Sequence, residues 1–290
     1  MTFDIKTIGI LGSGTMGSGI AQLCAQQGYE AQLYDIDQAL LDNAFRRIEA
    51  SLQKAVEKGK LAAEQVPLVL GRLTVHTQLS DLAGCDVVIE AIPEDLALKQ
   101  DIFKQLDSLC KPETILASNT SSLSITALGG ATKRPQQVAG LHFFNPVPVM
   151  KLVEVIRGQR TSDETMNALT GFAESLGKTA VIAKDTPGFI VNRVARPFYG
   201  EALKMLGEHG SNPDMLKTID TVMREAGGFK MGPFELMDLI GIDVNFAVTQ
   251  SVWSAYFQLS RYRPHPIQQR MVHAGLLGRK TGEGFYQYES

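Results

Sequence analysis

Gly12-Ser13-Gly14-Thr15-Met16-Gly17 decides the fold. The string fits G-x-G-x-x-G, which alone is weak, because glycine is common in turns. Its surroundings give it weight. Thr7-Ile8-Gly9-Ile10-Leu11 before it reads as a buried strand, and an apolar pattern at helical spacing follows over 15–27. The next strand, over 30–34, runs into Asp35. In such a unit Gly12 permits the tight turn, Gly14 lets the backbone approach a pyrophosphate, and Gly17 lets helix and strand pack closely. Ser13, Thr15 and Met16 complete the cofactor-binding turn, where the helix N-terminus offers N–H groups and a positive dipole end to phosphates. Asp35 lies 18 residues beyond Gly17, near the spacing of an acid that accepts from the adenosine ribose hydroxyls. Its charge repels a 2′-phosphate, so NAD is favoured over NADP. FAD is the other cofactor option. The bland alternative is a structural strand–turn–helix with a surface Asp35.

Outward from the turn, strands are expected over 86–92, 114–117, 138–142, 152–156 and 179–183. Helices are expected over 38–60, 97–110 and 162–176. Such alternation predicts a mostly parallel sheet with helices on both faces. After Pro187-Gly188 the character changes. No convincing strand occurs between 189 and 278, and Leu203, Leu206, Leu216, Ile219, Val222 and Met223 recur at helical spacing. Asn212-Pro213-Asp214 and Gly232-Pro233 start helices. The expectation is an α/β dinucleotide-binding domain over 1–186 and an all-helical domain over 187–290.

A chain of 290 residues with 44% hydrophobic and 20% charged residues is globular and needs no staple to hold a core. A net charge of −3 argues against a nucleic-acid-coating protein. Cys24, Cys85 and Cys110 form no close pair and no metal spacing, and read as buried thiols of a reducing compartment. No apolar run reaches the length of a membrane span. Met1-Thr2-Phe3-Asp4-Ile5-Lys6 leads straight into a strand and leaves no room for a targeting peptide. A cytoplasmic protein with no metal, membrane or nucleic-acid partner is expected.

Five further stretches follow in order: Ser118-Asn119-Thr120-Ser121-Ser122, Gly140-Leu141-His142-Phe143-Phe144-Asn145-Pro146, Lys151-Leu152-Val153-Glu154-Val155, Lys184-Asp185-Thr186-Pro187-Gly188-Phe189-Ile190-Val191-Asn192-Arg193 and Lys280-Thr281-Gly282-Glu283-Gly284-Phe285-Tyr286. Together with the glycine turn they closely resemble the L-3-hydroxyacyl-CoA dehydrogenase family, in particular its short bacterial 3-hydroxybutyryl-CoA members, over essentially the whole chain. The resemblance implies a Rossmann-type NAD-binding domain, a helical substrate and homodimerisation domain, and an active site between them. It implies reversible, NAD-dependent oxidation of a 3-hydroxyacyl-CoA to a 3-ketoacyl-CoA, chemistry that serves fatty-acid metabolism among other pathways. Position by position, it implies His142 as the catalytic histidine, Glu154 as its orienting glutamate, and Ser121 and Asn192 as polar groups at the substrate oxygen. Asp35, Glu94, Lys99, Ser121, Asn145 and Lys280 match the nucleotide contacts. Ser51, Lys58, Lys99 and Ser121 match the acyl-CoA contacts.

The residues make chemical sense on their own. Removing hydride from a carbinol carbon requires a base for the hydroxyl proton, and histidine titrates in the right range. His142 ends a strand-like run, where active groups of open α/β sheets lie. His209 reads as a helix-end residue, and His76, His265 and His273 read as surface residues. Glu154 interrupts an apolar run; buried there, it needs a partner, and a histidine ring nitrogen would serve. On an edge strand it could instead face water. Ser121 and Asn192 can donate to a developing ketone oxygen, or Ser121 can cap the helix near 124–128. On the helix over 38–60, Leu41, Ala44, Ile48, Leu52 and Ala55 form one apolar stripe. Arg47, Ser51, Lys54 and Lys58 line up elsewhere, either for coenzyme A phosphates or as a solvated face. Two other readings stand beside the dehydrogenase. One is a dehydrogenase of the same fold acting on a sugar acid or other β-hydroxy acid. The other is a non-catalytic dinucleotide-binding protein.

Overall fold

The computed structural model describes residues 4–208 and 213–289. The chain divides into two compact units, Met1–Asp185 and Thr186–Ser290. The first opens with β1 (Thr7–Leu11), α1 (Thr15–Gln26), β2 (Glu30–Tyr34) and α2 (Gln38–Glu57). It continues through α3 (Gln65–Gly71), β3 (Leu73–His76), β4 (Val87–Glu90), α4 (Leu96–Leu109), β5 (Ile115–Ser118) and α5 (Ile125–Gly130). It ends with β6 (Val138–Phe143), β7 (Leu152–Arg157), α6 (Asp163–Ser175) and β8 (Thr179–Lys184).

Among the described residues these strands form one sheet in the order β3-β2-β1-β4-β5-β6-β7-β8. All neighbours are parallel except β6 and β7. The order reverses direction at β1, which sits between β2 and β4, and this is where open α/β sheets form a ligand crevice. The central strands are buried on both faces: β4 and β5 have no exposed residue, as helix-covered parallel strands require. Ile8, Ile10, Leu33, Ile89 and Ile115 are fully enclosed there. The α2 stripe packs as expected through Leu41, Ala44, Ile48 and Leu52.

The expected α/β architecture is borne out, with local differences. β3 lies outside the expected strands, because its four residues lack a clear alternation, and α3, a short helix whose first turn contains Pro67, lies outside the expected helices. The helix expected over 38–60 stops at Glu57, where Gly59 turns the chain with φ +64°.

The second unit contains α7 (Val191–Glu208), α8 (Pro213–Glu225), α9 (Pro233–Ile240), α10 (Ile242–Ala255) and α11 (Pro266–His273). Tyr199, Leu203, Leu206, Ile219, Phe234, Met237 and Ile242 form its core. Gly232-Pro233 does open a helix, and Asp220 reaches across from α8 to accept from the Phe234 and Glu235 N–H groups. Asp238 accepts from the Phe285 and Tyr286 N–H groups and the Tyr288 hydroxyl, pinning the C-terminal segment onto α9. That segment passes so close that a Cβ on Gly284 would lie 2.2 Å from Asp238 Oδ1. The readings made for His209 and Asn212 lie outside the described residues. Among those described, no helix is long and apolar enough to cross a membrane.

Candidate active site

At the end of β1 the Gly12 N–H donates to Tyr34 O at 2.9 Å, and the backbone turns with φ +97°. A Cβ on Gly12 would lie 2.7 Å from Ala91 O, and one on Gly17 would lie 1.7 Å from Gly12 O. These two glycines let turn, helix and neighbouring strand touch. Gly14 differs: nothing lies within 4 Å of where its Cβ would be. It is also the N-cap of α1, with no side-chain cap and no acid in the first turn. An open approach to a helix N-terminus is what a pyrophosphate requires. Asp35 stands against this turn, accepting on Oδ2 from Ser13 N and Oγ, both at 2.7 Å, and on Oδ1 from Ile36 N. Arg47 corrects the expectation that it belongs with the Ser51, Lys54 and Lys58 row. Its guanidinium donates to Ser13 O at 2.6 Å, so it supports the glycine turn. The residues present fit a dinucleotide.

The antiparallel pairing of β6 with β7 sets His142 directly opposite Glu154, so both side chains leave the same face of the sheet. His142 Nδ1 lies 2.7 Å from Glu154 Oε2. Both residues are buried, Glu154 to 1% exposure. β7 is covered by β6 on one side and β8 on the other, which removes the edge-strand alternative for Glu154. A carboxylate only accepts, so the pair places the ring proton on Nδ1 and directs Nε2 to the other side of the ring. The Phe144 ring packs 4.4 Å from the imidazole. Below, buried Lys178 donates to Val147 O and Met150 O and holds the loop after β6 in place; its burial lowers its pKa.

The 118–123 segment hangs on two carboxylates. Glu90, fully buried at the end of β4, accepts from Ser118 Oγ, Ile92 N and Lys99 Nζ at 2.6–2.8 Å. Glu94 Oε1 accepts from Thr120 Oγ1 at 2.5 Å, Ser121 N at 3.0 Å and Ser121 Oγ at 3.3 Å. Burial alone would raise the Glu94 pKa; the Lys99 charge and the hydrogen bonds from Thr120 and Ser121 outweigh it and hold the carboxyl below its usual value. Asn119 Oδ1 accepts from Phe143 N at 2.9 Å, tying this segment to the strand of His142. The α5 cap is Ser124, which accepts from Ala127 N, with Asp185 beside it on Ile125 N and Thr126 N. That overturns the capping alternative for Ser121.

Two family models match the chain: the NAD-binding domain of 3-hydroxyacyl-CoA dehydrogenase over residues 7–186, and the C-terminal domain of 3-hydroxyacyl-CoA dehydrogenase over residues 188–288. The chain belongs to the 3-hydroxyacyl-CoA dehydrogenase family. Its first unit is therefore an NAD-binding domain, and its cofactor is NAD. A probable 3-hydroxybutyryl-CoA dehydrogenase of Deinococcus radiodurans is 48% identical over 97% of this chain and 99% of its own length. The 3-hydroxyadipyl-CoA dehydrogenase of Escherichia coli is 48% identical over the whole of this chain, which spans 60% of that protein. The crystal structure of (S)-3-hydroxybutyryl-CoA dehydrogenase from Ralstonia eutropha superposes with a TM-score of 0.92 at 42% identity, covering 99% of this chain and 100% of that one.

Not every residue that the dehydrogenase resemblance singled out lies open to a ligand. Lys99, expected to touch both nucleotide and acyl-CoA, is 1% exposed. Its ammonium meets Glu90 at 2.6 Å, Glu94 at 3.2 Å and Ile92 O at 3.2 Å. The ammonium thus ties α4 to Glu90 at the end of β4 and to Glu94 in the loop between them. Lys280 belongs to the second unit, with its ammonium on both oxygens of Asp243 at 2.6 Å. Asn192 opens α7 in that unit. Asn145 is exposed in the loop after β6. On α2, Ser51 is half-buried and Lys54 is exposed, and Lys58, the residue that caps its C-terminus, is exposed. His76 and His265 are half-buried and His273 is exposed. The three thiols are buried, and burial pushes Cys24 and Cys85 up to about 12 and Cys110 to about 11, out of nucleophilic range. Among the described residues no group of His, Cys, Asp or Glu could hold a metal ion. Sequence reasoning missed Glu90, although the signal that found Glu154 was present, a lone acid within the apolar run Val87-Val88-Ile89-Glu90-Ala91-Ile92.

Proposed function

We propose that the chain oxidises (S)-3-hydroxyacyl-CoA thioesters of short chain, such as 3-hydroxybutyryl-CoA, to 3-ketoacyl-CoA and runs the reverse reduction, with His142 as general base in one direction and general acid in the other. The observation that carries this is the buried His142–Glu154 pair at 2.7 Å. Bound NAD supplies the hydride acceptor. With Nδ1–H given to Glu154, Nε2 is the nitrogen that takes the substrate hydroxyl proton. The imidazolium that results faces a carboxylate and is stabilised by it. Ser121 holds the substrate oxygen from the turn after β5, and Asn192 does so from α7. Ser51 and Lys54 on α2 and Lys58 at its C-cap receive the phosphates of coenzyme A, while Glu94, Asn145 and Lys280 serve the nucleotide. The protein works in the cytoplasm as a homodimer joined through its helical domain.

The test is NADH formation with 3-hydroxybutyryl-CoA against free 3-hydroxybutyrate, extended to longer acyl-CoA chains. Binding energy from the remote coenzyme A is realised at C3, so the thioester should exceed the free acid by orders of magnitude in kcat/KM. Equal values would hand the site to the reading as a β-hydroxy-acid dehydrogenase.

A further inference from the structure

Helix α7 carries Asn192 in its first turn and a proline at 197. Pro197 has no N–H to give to Arg193 O, four residues back, and its ring crowds that carbonyl. The hydrogen-bond ladder of α7 therefore loses a bond just where the Asn192 turn meets the rest of the helix. On the other side, the chain enters the helix through two consecutive left-handed residues, Gly188 at φ +75° and Phe189 at φ +47°, a conformation uncommon for a side chain as large as phenylalanine. The placement of Asn192 thus depends on contacts made outside the ladder.

Arg196, buried in the helical unit, makes such contacts. Its Nε donates to Asn192 O at 3.1 Å, one turn back on the same helix. Its Nη1 donates to α10 twice, to Asn245 O at 2.9 Å and to Thr249 Oγ1 at 2.8 Å. Thr249 Oγ1 donates on to Asn245 O at 2.8 Å, and Asn245 Oδ1 accepts from Gln268 Nε2 on α11 at 2.7 Å. The guanidinium carbon lies 5.0 Å from the centre of the Tyr199 ring. Among the described residues no carboxylate pairs with it, and burial pushes its pKa down to about 10, so it stays charged at neutral pH. Burying a guanidinium with no counter-charge costs stability. What it supplies, and an apolar side chain cannot, is a rigid fork of donors.

We propose that Arg196 is a positioning residue: its guanidinium ties the carbonyl of Asn192 to α10 and so fixes the place from which the Asn192 side chain meets the substrate oxygen. The inference rests on the reading of Asn192 as that contact. The effect runs through Asn192, so it belongs in kcat, because a contact misplaced by a fraction of an ångström loses its worth in the transition state first. It also separates function from stability. An apolar side chain of similar length in place of a buried, uncompensated charge is often neutral or stabilising, so turnover should fall where the fold does not weaken.

The experiment is Arg196→Met in the full-length protein, made alone and again in an Asn192→Ala background. Since Arg196 has no carboxylate partner among the described residues, the change strands no opposite charge. Thermal melting with NADH present reports the fold, and kcat is measured with 3-hydroxybutyryl-CoA beside KM for NAD. Asn192→Ala should lower kcat. Arg196→Met should lower kcat about 5–20-fold, with KM for NAD within about twofold of normal and a melting temperature no lower than that of the native protein. In the Asn192→Ala background the same change should cost less than about twofold, since there is no amide left to place. Equal losses in both backgrounds, or no loss in either, would overturn the positioning role while leaving Asn192 as a contact. An unchanged kcat in Asn192→Ala alone would overturn the Asn192 reading itself, and the role of Arg196 with it. Should Arg196→Met melt below the assay temperature, Thr249→Val gives the same comparison, because it keeps the guanidinium and takes away one of its acceptors on α10. Its loss in kcat, about two- to fivefold, should likewise vanish in the Asn192→Ala background.

Discussion

Glu154 and Lys99 show the same physics from two sides: a charge placed in an apolar interior must find a partner. Glu154 announces this in the sequence, as the lone acid in Leu152-Val153-Glu154-Val155-Ile156. Its partner follows from strand register, with His142 opposite at 2.7 Å. Glu154→Gln keeps the shape but removes the charge that stabilises the imidazolium. Turnover should therefore fall, with NAD binding and KM for NAD little changed. Asp35 is locked beside the glycine turn by Ser13 at 2.7 Å. Asp35→Ala removes an acceptor charge, and kcat/KM for NAD should fall roughly 10–100-fold while that for NADP holds or rises. Equal use of both cofactors by the unaltered protein would show that Asp35 does not face the ribose.

At the level of elements, the strand–turn–helix at 7–35 was legible because its signals are local: a strand, a glycine turn, an apolar helical stripe and a following acid. Gly17 is the contact on which it turns. A Cβ there would sit 1.7 Å from Gly12 O, so Gly17→Ala must push α1 off the turn. A loss of about 1–3 kcal/mol in stability is expected, together with weakened NADH binding in a fluorescence titration. β3 was not legible, since four residues with a mixed burial pattern carry no period. The burial of Lys99 against Glu90 was not legible either. Leu96-Ala97-Leu98-Lys99 reads as an ordinary amphipathic turn, and only the sheet brings Glu90 to it. α11 offers a pH test. His265 is its N-cap, and Nδ1 accepts from Ile267 N, which only the neutral ring can do. Burial, then the charges of Arg270 and Lys204, hold its pKa below the ordinary 6.5. The unfolded chain therefore takes the proton first. The stability this cap adds is complete above about pH 6.5 and is lost as the pH falls through the lower folded value. Melting temperatures should fall more steeply from about pH 6.5 to 5 in the native protein than in His265→Asn, whose cap does not titrate.

For the whole molecule, the two units hold different functional residues. The first holds the glycine turn, the His142–Glu154 pair and the Ser121 turn, and the second holds Asn192 and Lys280. The resemblance implies a homodimer, and the segment 222–256 is rich in apolar residues. Phe234 and Val252 prove to be buried within their own unit, whereas Val222, Phe229, Leu239 and Ile240 are exposed at 42–54%. Exposed apolar side chains of this size support the proposed association, and light scattering at micromolar protein should give twice 31.6 kDa; the monomer mass would refute it. The account as a whole stands on His142 as the group that moves the proton. Turnover of 3-hydroxybutyryl-CoA by His142→Gln, measured beside its NADH affinity, tests this most directly. The account predicts a loss of about 10²–10⁴-fold in kcat with NADH affinity and melting temperature preserved. A folded His142→Gln protein that turns over at close to the normal rate would contradict it.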